Sequence, residues 1–250
     1  MINIAIYFET SKSTGGAHHQ NIKLVEIFQK YLSEEFNFTY VVPSNQQKQI
    51  IDKMGSKSII FKKSLRFRFE QFFFKFSFLR EIYKKLSIKN SFEKFLKSNN
   101  FDLVFFNSPY EVSILLENIN FVIMLLSMQH RTHGFFPEYK GKHDNEIRDK
   151  IIENAVKKAF KIFVGAEKDK NLLIKFFNVD ENKVKVQPYV FTLPSLYKKN
   201  INYDYDKVFK NLGIPENKNI LIYPAQFWAH KNHKYITDIA LYLKKKNINN

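Results

Sequence analysis

Residues suited to binding phosphate follow the first apolar run of the chain, at positions 4–8. Gly15 and Gly16 come after a short polar segment and directly before a helical pattern. Backbone N–H groups beside paired glycines can approach a phosphate closely, and a helix N-terminus attracts anions. Gly15 and Gly16 are therefore candidate ligands of a diphosphate, although such pairs also serve as ordinary turn residues. His18 and His19 come next and are interpreted as a solvated helix start.

A second group of polar residues follows the strongest apolar run, at positions 121–126. His130 and Arg131 lie in the polar segment after it. In parallel α/β sheets, loops at the ends of buried strands hold the chemistry, so these two are the candidate catalytic residues. A core histidine bonded to the backbone explains His130 equally well. Glu138, in the same loop, is interpreted as a salt-bridge or capping residue.

The elements that must position these residues alternate between short apolar runs and helical patterns. Such alternation is typical of a doubly wound α/β domain, which we place at residues 1–190, followed by a linker at 191–204. Ser108-Pro109 is predicted to start a helix after the fourth run. The predicted strands are residues 4–8, 38–42, 58–61, 103–106, 121–126, 161–164 and 184–186.

Residues 205–250 begin a second domain in this prediction. A helix at 205–212, a strand at 220–223 and a helix at 232–246 form the first βα unit of another parallel sheet. The remainder of that domain is not in the sequence, so we expect a two-domain protein of which this chain is one part.

Two segments resemble a known family. Residues 219–233 read Asn-Ile-Leu-Ile-Tyr-Pro-Ala-Gln-Phe-Trp-Ala-His-Lys-Asn-His. They are similar to the start of the nucleotide-sugar-binding domain in family 4 glycosyltransferases, especially bacterial surface-polysaccharide members. The His-Arg pair at 130–131 and Phe-Pro-Glu at 136–138 resemble the corresponding first-domain loop. The family's upstream His-Asp pair is replaced by Leu126 and Ser127.

The resemblance implies a GT-B fold with two Rossmann-like domains. It also implies transfer of a sugar, with retention of configuration, from a nucleoside-diphosphate sugar to a saccharide or lipid-linked acceptor in lipopolysaccharide, O-antigen or capsule biosynthesis. Lys231 matches the family lysine that contacts the donor diphosphate, and Gln226 stands where the family has an arginine. Gly15 and Gly16 would contact the same diphosphate. No cofactor beyond the nucleotide-sugar substrate and no metal is required, because amides and cations stabilise the leaving group.

The family's paired glutamates lie later in the second domain and are absent from these 250 residues. We therefore expect this chain alone to bind donor weakly and to be almost inactive.

An aromatic and basic stretch occupies residues 62–96. Phe72 and Phe73 lie on one helical face, and Arg66 and Arg68 are among the surrounding cations. Such a helix can lie in an anionic membrane interface near a lipid-linked acceptor. A helix that faces the core and exposes its lysines is an equally good explanation.

The composition limits the remaining classes of function. The net charge of +16 comes mainly from lysine, which disfavours sequence-specific nucleic-acid recognition, and no nucleic-acid partner is expected. With no cysteine, disulfides and cysteine-based zinc sites are excluded. No signal peptide or run of about 18 apolar residues occurs. A cytoplasmic location follows, with peripheral attachment to the inner face of the plasma membrane as an open alternative.

Two alternatives to a glycosyltransferase stay open. The first is a basic module that binds membrane surfaces or nucleic acid without catalysis. The second is a zinc hydrolase that uses His130 with His133 or His230 with His233, although this spacing alone is weak evidence.

Overall fold

The computed structural model describes residues 1–9, 16–74, 76–86, 89–139, 141–188, 204–214 and 220–246. Within these ranges, seven strands form one parallel sheet in the order β3-β2-β1-β4-β5-β6-β7. All seven strands predicted for the first domain form, with bounds within two residues of those expected, so the doubly wound α/β prediction is confirmed. They are β1 (Ile2–Tyr7), β2 (Phe36–Val42), β3 (Ser58–Ile60), β4 (Leu103–Phe106), β5 (Asn120–Leu125), β6 (Lys161–Val164) and β7 (Val184–Val186).

Helices connect the strands and cover the sheet. Where the cap is described, side chains often fix the helix start: the Ser44 side chain accepts the N–H of Gln47, and the Asn90 side chain accepts that of Glu93. The α-helices are α1 (Gly16–Tyr31), α2 (Asn45–Lys53), α3 (Leu65–Phe74), α4 (Ser77–Lys85), α5 (Ser91–Ser98), α6 (Gln129–Thr132), α7 (Lys142–Lys158), α8 (Glu167–Phe177), α9 (Tyr205–Asn211) and α10 (His233–Lys245). None of those described is long and apolar enough to cross a bilayer.

The helix start predicted at Ser108-Pro109 is wrong. The connection after β4 is a 3-10 helix over Glu111–Leu115 that begins after Tyr110. The hydroxyl of Tyr110 bonds back toward the sheet, and this contact sets where the helix starts.

Both faces of the sheet are buried. In β1, Ile4 and Ile6 pack with Ile22 and Val25 of α1 on one face. Ala5, from the same strand, belongs to the core on the other face. Because both faces are covered, the strands are almost continuously apolar, and this explains why the sequence predicted them well.

The chain divides into two compact units. One contains residues 1–128 and 146–198, and the other contains residues 129–145 and 199–250. In the second unit, the helices expected near 205–212 and 232–246 are present, but residues 220–223 do not form a strand. A strand needs a hydrogen-bonded neighbour, and the described part of this unit supplies none.

A buried carboxylate fixes the connection that leads from the 3-10 helix into β5. Glu93 Oε1 accepts the backbone N–H of Glu117 at 2.7 Å and of Asn118 at 2.6 Å. We predict that Glu93→Ala lowers the free energy of unfolding by about 2–3 kcal/mol, since two backbone donors lose a buried, charged acceptor. Urea denaturation measures this. Lys94→Ala, at the exposed neighbouring residue, is the control and should change the free energy of unfolding by less than about 0.5 kcal/mol. An equal effect of the two substitutions would contradict the role of Glu93 in fixing this connection.

Candidate functional site

The strand order creates a switch point between β1 and β4. From β1 the chain proceeds outward to β2 and β3, and then returns to the other side of β1 as β4. The loops that follow β1 and β4 therefore diverge at the carboxyl edge of the sheet. Ligands of open parallel sheets bind in such a crevice.

Glu9, directly after β1, is held by two neighbours. Its carboxylate accepts the hydroxyl of Tyr7 at 2.8 Å. The Lys63 ammonium, from the segment after β3, donates to both carboxylate oxygens at 2.8 and 3.0 Å. Burial and then the charge of Glu9 raise the pKa of Tyr7, so this hydroxyl stays a donor. These contacts fix the first residue of the loop that leads to the glycine pair.

Tyr110 joins the two diverging loops. Its hydroxyl lies 2.7 Å from the backbone carbonyl oxygen of Glu9 and 2.7 Å from Asn107 Oδ1, and its one proton can go to either acceptor. Burial raises the pKa of Tyr110 and outweighs the opposite effect of its backbone hydrogen bond to Glu9. Tyr110 is thus a fixed donor across the switch point.

The N-terminus of α1 belongs to the same edge of the sheet, because α1 follows β1 in the chain. Gly16 is the first residue of α1, and among the described residues outside its own helix turn and chain neighbours no atom lies within 4 Å of the place where a side-chain Cβ would be. The first turn of α1 contains no acidic residue that would compete with an anion for the N–H groups. Gly15 lies outside the described residues. The predicted phosphate position is therefore open on the side of Gly16.

His18 and His19 differ from the solvated helix start that was expected. Both are partly buried. Burial, and then the charge of His19, lower the pKa of His18. Burial therefore favours the neutral form of the His18 imidazole.

In the second unit, Glu138 holds the loop that contains the candidate lysine. Its Oε1 accepts the backbone N–H of His230 at 2.9 Å and also contacts His230 Nδ1. Burial raises the pKa of Glu138, but the bonds from His230 outweigh it and hold the pKa below its usual range. The predicted role of Glu138 as a salt-bridge or capping residue is confirmed.

Aromatic rings surround the imidazole of His230. The ring centroids of Trp228, Tyr139 and Phe136 lie 5.5, 5.7 and 5.9 Å from its own. The Tyr139 hydroxyl also donates to Gln129 Oε1 at 2.9 Å. Residues 129–139 and the loop around His230 therefore form one packed cluster.

Lys231 ends the 3-10 helix Ala229–Lys231. Its carbonyl oxygen accepts the Tyr223 hydroxyl at 2.8 Å, and Asn232 follows in the left-handed conformation that starts α10. Within the described part of the chain, the Lys231 ammonium forms no ion pair and remains available to an anion. Gln226 is exposed, and its carbonyl oxygen accepts the N–H of Trp228 at 2.8 Å.

The two candidate catalytic residues differ in exposure. His130, in α6, is only 4% exposed, whereas Arg131 is exposed. The burial of His130 favours the interpretation that it supports the loop. Among the described residues, no three His, Asp or Glu side chains are grouped as a metal site would require.

The remaining predicted residues lie on α3. Phe72 and Phe73 are exposed, as are Arg66 and Arg68. The 62–96 stretch is not one helix, because it divides into α3, α4 and α5.

One open pocket lies away from all the predicted residues. It has a volume of about 430 Å³ and lies between the end of α7, the end of α8 and the 3-10 helix before β7. Val184 starts β7 there, so this pocket is at the amino edge of the sheet.

Comparison with known proteins supports the fold. No family model and no curated protein matches the sequence. A crystal structure of a glycosyltransferase from Rickettsia africae is similar, with a TM-score of 0.51 and 15% identity over 90% of this chain and 53% of that chain. An Anabaena protein, Alr3699/HepE in complex with UDP, gives a TM-score of 0.48 and 13% identity over 85% of this chain and 50% of that one. The chain spans about half the length of these structures. At such identities a likeness is one of fold, and the likeness to the Rickettsia africae structure agrees with the predicted Rossmann-like architecture.

The sequence did not reveal the Glu9–Tyr110 contact or the Glu138–His230 contact. Each joins residues about a hundred positions apart, 101 in one case and 92 in the other. The sequence contains one weak indication of these contacts, which is that each residue lies in a loop that follows a predicted strand or is close to such a strand.

The hydroxyl of Tyr110 provides a direct test of the switch-point network. We predict that Tyr110→Phe lowers the free energy of unfolding by about 1–2 kcal/mol, because the one hydroxyl proton shared by two acceptors is lost. Urea denaturation measures the change. Tyr31 is exposed, so Tyr31→Phe should change stability by less than about 0.5 kcal/mol. Equal stability of Tyr110→Phe and the parent would contradict the network.

The Glu138–His230 contact should be lost in acid. The folded-state pKa of Glu138 is lower than its unfolded-state pKa of about 4.3, so the contact stabilises the folded state above that pH. This stabilisation is lost as the pH falls through the folded-state pKa. Trp228, the only tryptophan, packs on His230, so its fluorescence should report the transition. Glu138→Gln should abolish this transition, while far-UV circular dichroism checks that the rest of the chain stays folded. An identical transition in the variant would contradict the assignment.

Proposed function

We propose that this chain belongs to a glycosyltransferase that moves a sugar from a nucleoside-diphosphate sugar to a saccharide or lipid-linked acceptor. The observation that carries the proposal is the switch point of a parallel sheet with an open helix N-terminus at Gly16. The family 4 resemblance of residues 219–233 and the fold likeness to a glycosyltransferase support it further.

In the proposed reaction, the bond between the anomeric carbon and the diphosphate oxygen breaks, the acceptor hydroxyl oxygen bonds to that carbon, and the hydroxyl proton passes to the departing diphosphate. The departing diphosphate gains negative charge. In the first unit, the N–H groups at the start of α1 would stabilise that charge, with Gly15 and Gly16 permitting close approach. The family resemblance further implies that the Lys231 ammonium would supply a cation to a donor diphosphate, and Gln226 a neutral donor.

Several finer points rest on the family resemblance alone. They are retention of configuration, a role in lipopolysaccharide, O-antigen or capsule biosynthesis, and an acceptor-side role for His130 and Arg131. The 4% exposure of His130 favours a supporting role over direct proton transfer.

Titration calorimetry with UDP and with GDP tests the donor class. We predict that at least one of the two nucleotides binds with a millimolar or lower dissociation constant. Lys231→Ala should raise that constant about tenfold or more, since a charged hydrogen bond contributes about 1.5–3 kcal/mol. The control Lys234→Ala removes a nearby lysine that pairs with Asp238, and it should leave affinity unchanged apart from a small salt-dependent effect.

Gly16→Ala separates binding from folding. Because a Cβ at this position meets no atom within 4 Å, the unfolding midpoint should not fall, whereas the added methyl should obstruct a phosphate and weaken binding. Gly134→Ala, whose Cβ would be 3.5 Å from the His130 carbonyl oxygen, is the matched control and should bind like the parent. No binding of either nucleotide, or binding unaffected by both Lys231→Ala and Gly16→Ala, would overturn the proposal.

A further inference from the structure

The outward side of α3, together with Phe76 just after it, exposes several large apolar side chains, which we call the aromatic face. Its side chains are between 39% and 75% exposed. The ring of Phe72 contacts those of Phe73 and Phe76, with centroids 6.0 and 5.5 Å apart. Contiguous exposed apolar side chains of this kind mark interaction surfaces, whereas isolated ones do not. The aromatic face consists of Leu65, Phe69, Phe72, Phe73 and Phe76.

The opposite side of α3 is fixed in the core, so the aromatic face cannot turn inward. Phe67 and Phe74 are fully buried. Between them, Glu70 accepts the backbone N–H of Ser91 at 2.8 Å and pairs with Arg66 at 3.0 Å. Rotation of α3 would break these contacts and expose the two buried rings. The aromatic face is therefore a stable surface of the first unit.

The surroundings of the aromatic face are strongly basic. Residues 62–89 contain nine Lys and Arg but only two Asp and Glu. One of the two acids, Glu70, is buried and paired with Arg66, and nine cations against two acids still leave the segment an excess of seven cations. Exposed aromatic rings beside cations match the chemistry of an anionic lipid surface, where rings enter the acyl boundary and cations meet headgroups.

We propose that the aromatic face docks on a membrane surface rich in anionic lipid. Such docking is peripheral, because α3 has ten residues and cannot span a bilayer. Lys63, just before α3, binds Glu9 at the carboxyl edge of the sheet. Docking would therefore bring the switch point near the lipid surface. That a lipid-linked acceptor is then presented to it rests on the proposed function, whereas the docking itself does not.

Vesicle co-sedimentation without nucleotide tests docking independently of sugar transfer. We predict that the chain sediments with vesicles of phosphatidylglycerol and phosphatidylcholine but not with phosphatidylcholine alone, and that 0.5 M salt weakens binding. The double substitution Phe72→Asp and Phe73→Asp should reduce the apparent affinity at least tenfold. Phe160→Asp is the matched control, because Phe160 is 58% exposed and Phe72 is 57% exposed.

The basic contribution is tested in the same assay. Arg68→Glu should weaken binding severalfold, while Lys168→Glu, a reversal at an exposed lysine of α8, should have little effect. Circular dichroism confirms that each variant is folded. No sedimentation of the parent, equal binding to neutral vesicles, or equal loss with Phe160→Asp would overturn the proposal. A different outcome would be that the chain does not bind vesicles but binds a single-stranded oligonucleotide tightly, with the same dependence on Phe72 and Arg68. The partner of the aromatic face would then be nucleic acid and not lipid.

Discussion

A parallel sheet that is buried on both faces has room for polar chemistry only at the ends of its strands. Here β1 alternates side chains between two cores, with Ile4 and Ile6 on one face and Ala5 on the other. Every charged or hydrogen-bonding group of functional interest in the first unit is accordingly displaced to an edge. The order β3-β2-β1-β4-β5-β6-β7 then selects one place on the carboxyl edge, because only beside β1 do successive loops diverge.

Tyrosine and glutamate side chains form fixed hydrogen bonds at that place. Glu9 is held by Tyr7 and Lys63, and its carbonyl oxygen faces the Tyr110 hydroxyl. The second unit uses a related device, in which Glu138 binds the backbone and ring of His230 next to Lys231. In the second unit, the carboxylate orients the loop, and Lys231, the residue expected to meet the ligand, directly follows the residue that the carboxylate binds. These carboxylates are positioning groups.

The local pattern of apolar residues was sufficient to predict the strands of the sheet, but it did not predict the contacts at the site. Buried strands such as β4 and β6 are nearly unbroken apolar runs, and their bounds were predicted to the residue. The division of residues 62–96 into three helices was missed, because the aromatic periodicity continues through the breaks. Residues 220–223 show that an apolar run becomes a strand only when a neighbour is present to pair with it.

Sequence patterns could not predict the contacts at the site, and the reason is physical. Tyr110 meets Glu9 only because β4 lies next to β1, and that adjacency is a property of the whole sheet. By contrast, Gly16 and Lys231 were found from local features, a glycine pair before a helix and a lysine in a recognisable loop. The positions proposed to meet the ligand were thus found from the sequence, while the contacts that fix their surroundings were not.

Hydrogen–deuterium exchange with and without the tighter-binding nucleoside diphosphate tests the central claim, that the carboxyl edge at the β1–β4 switch point binds the donor. The account predicts slower exchange in the first turn of α1 and in the segment after β4, with no change near the 430 Å³ pocket at the amino edge. Protection confined to that pocket, around Asn178 and Lys183, would contradict it. So would nucleotide binding that leaves the first turn of α1 unprotected.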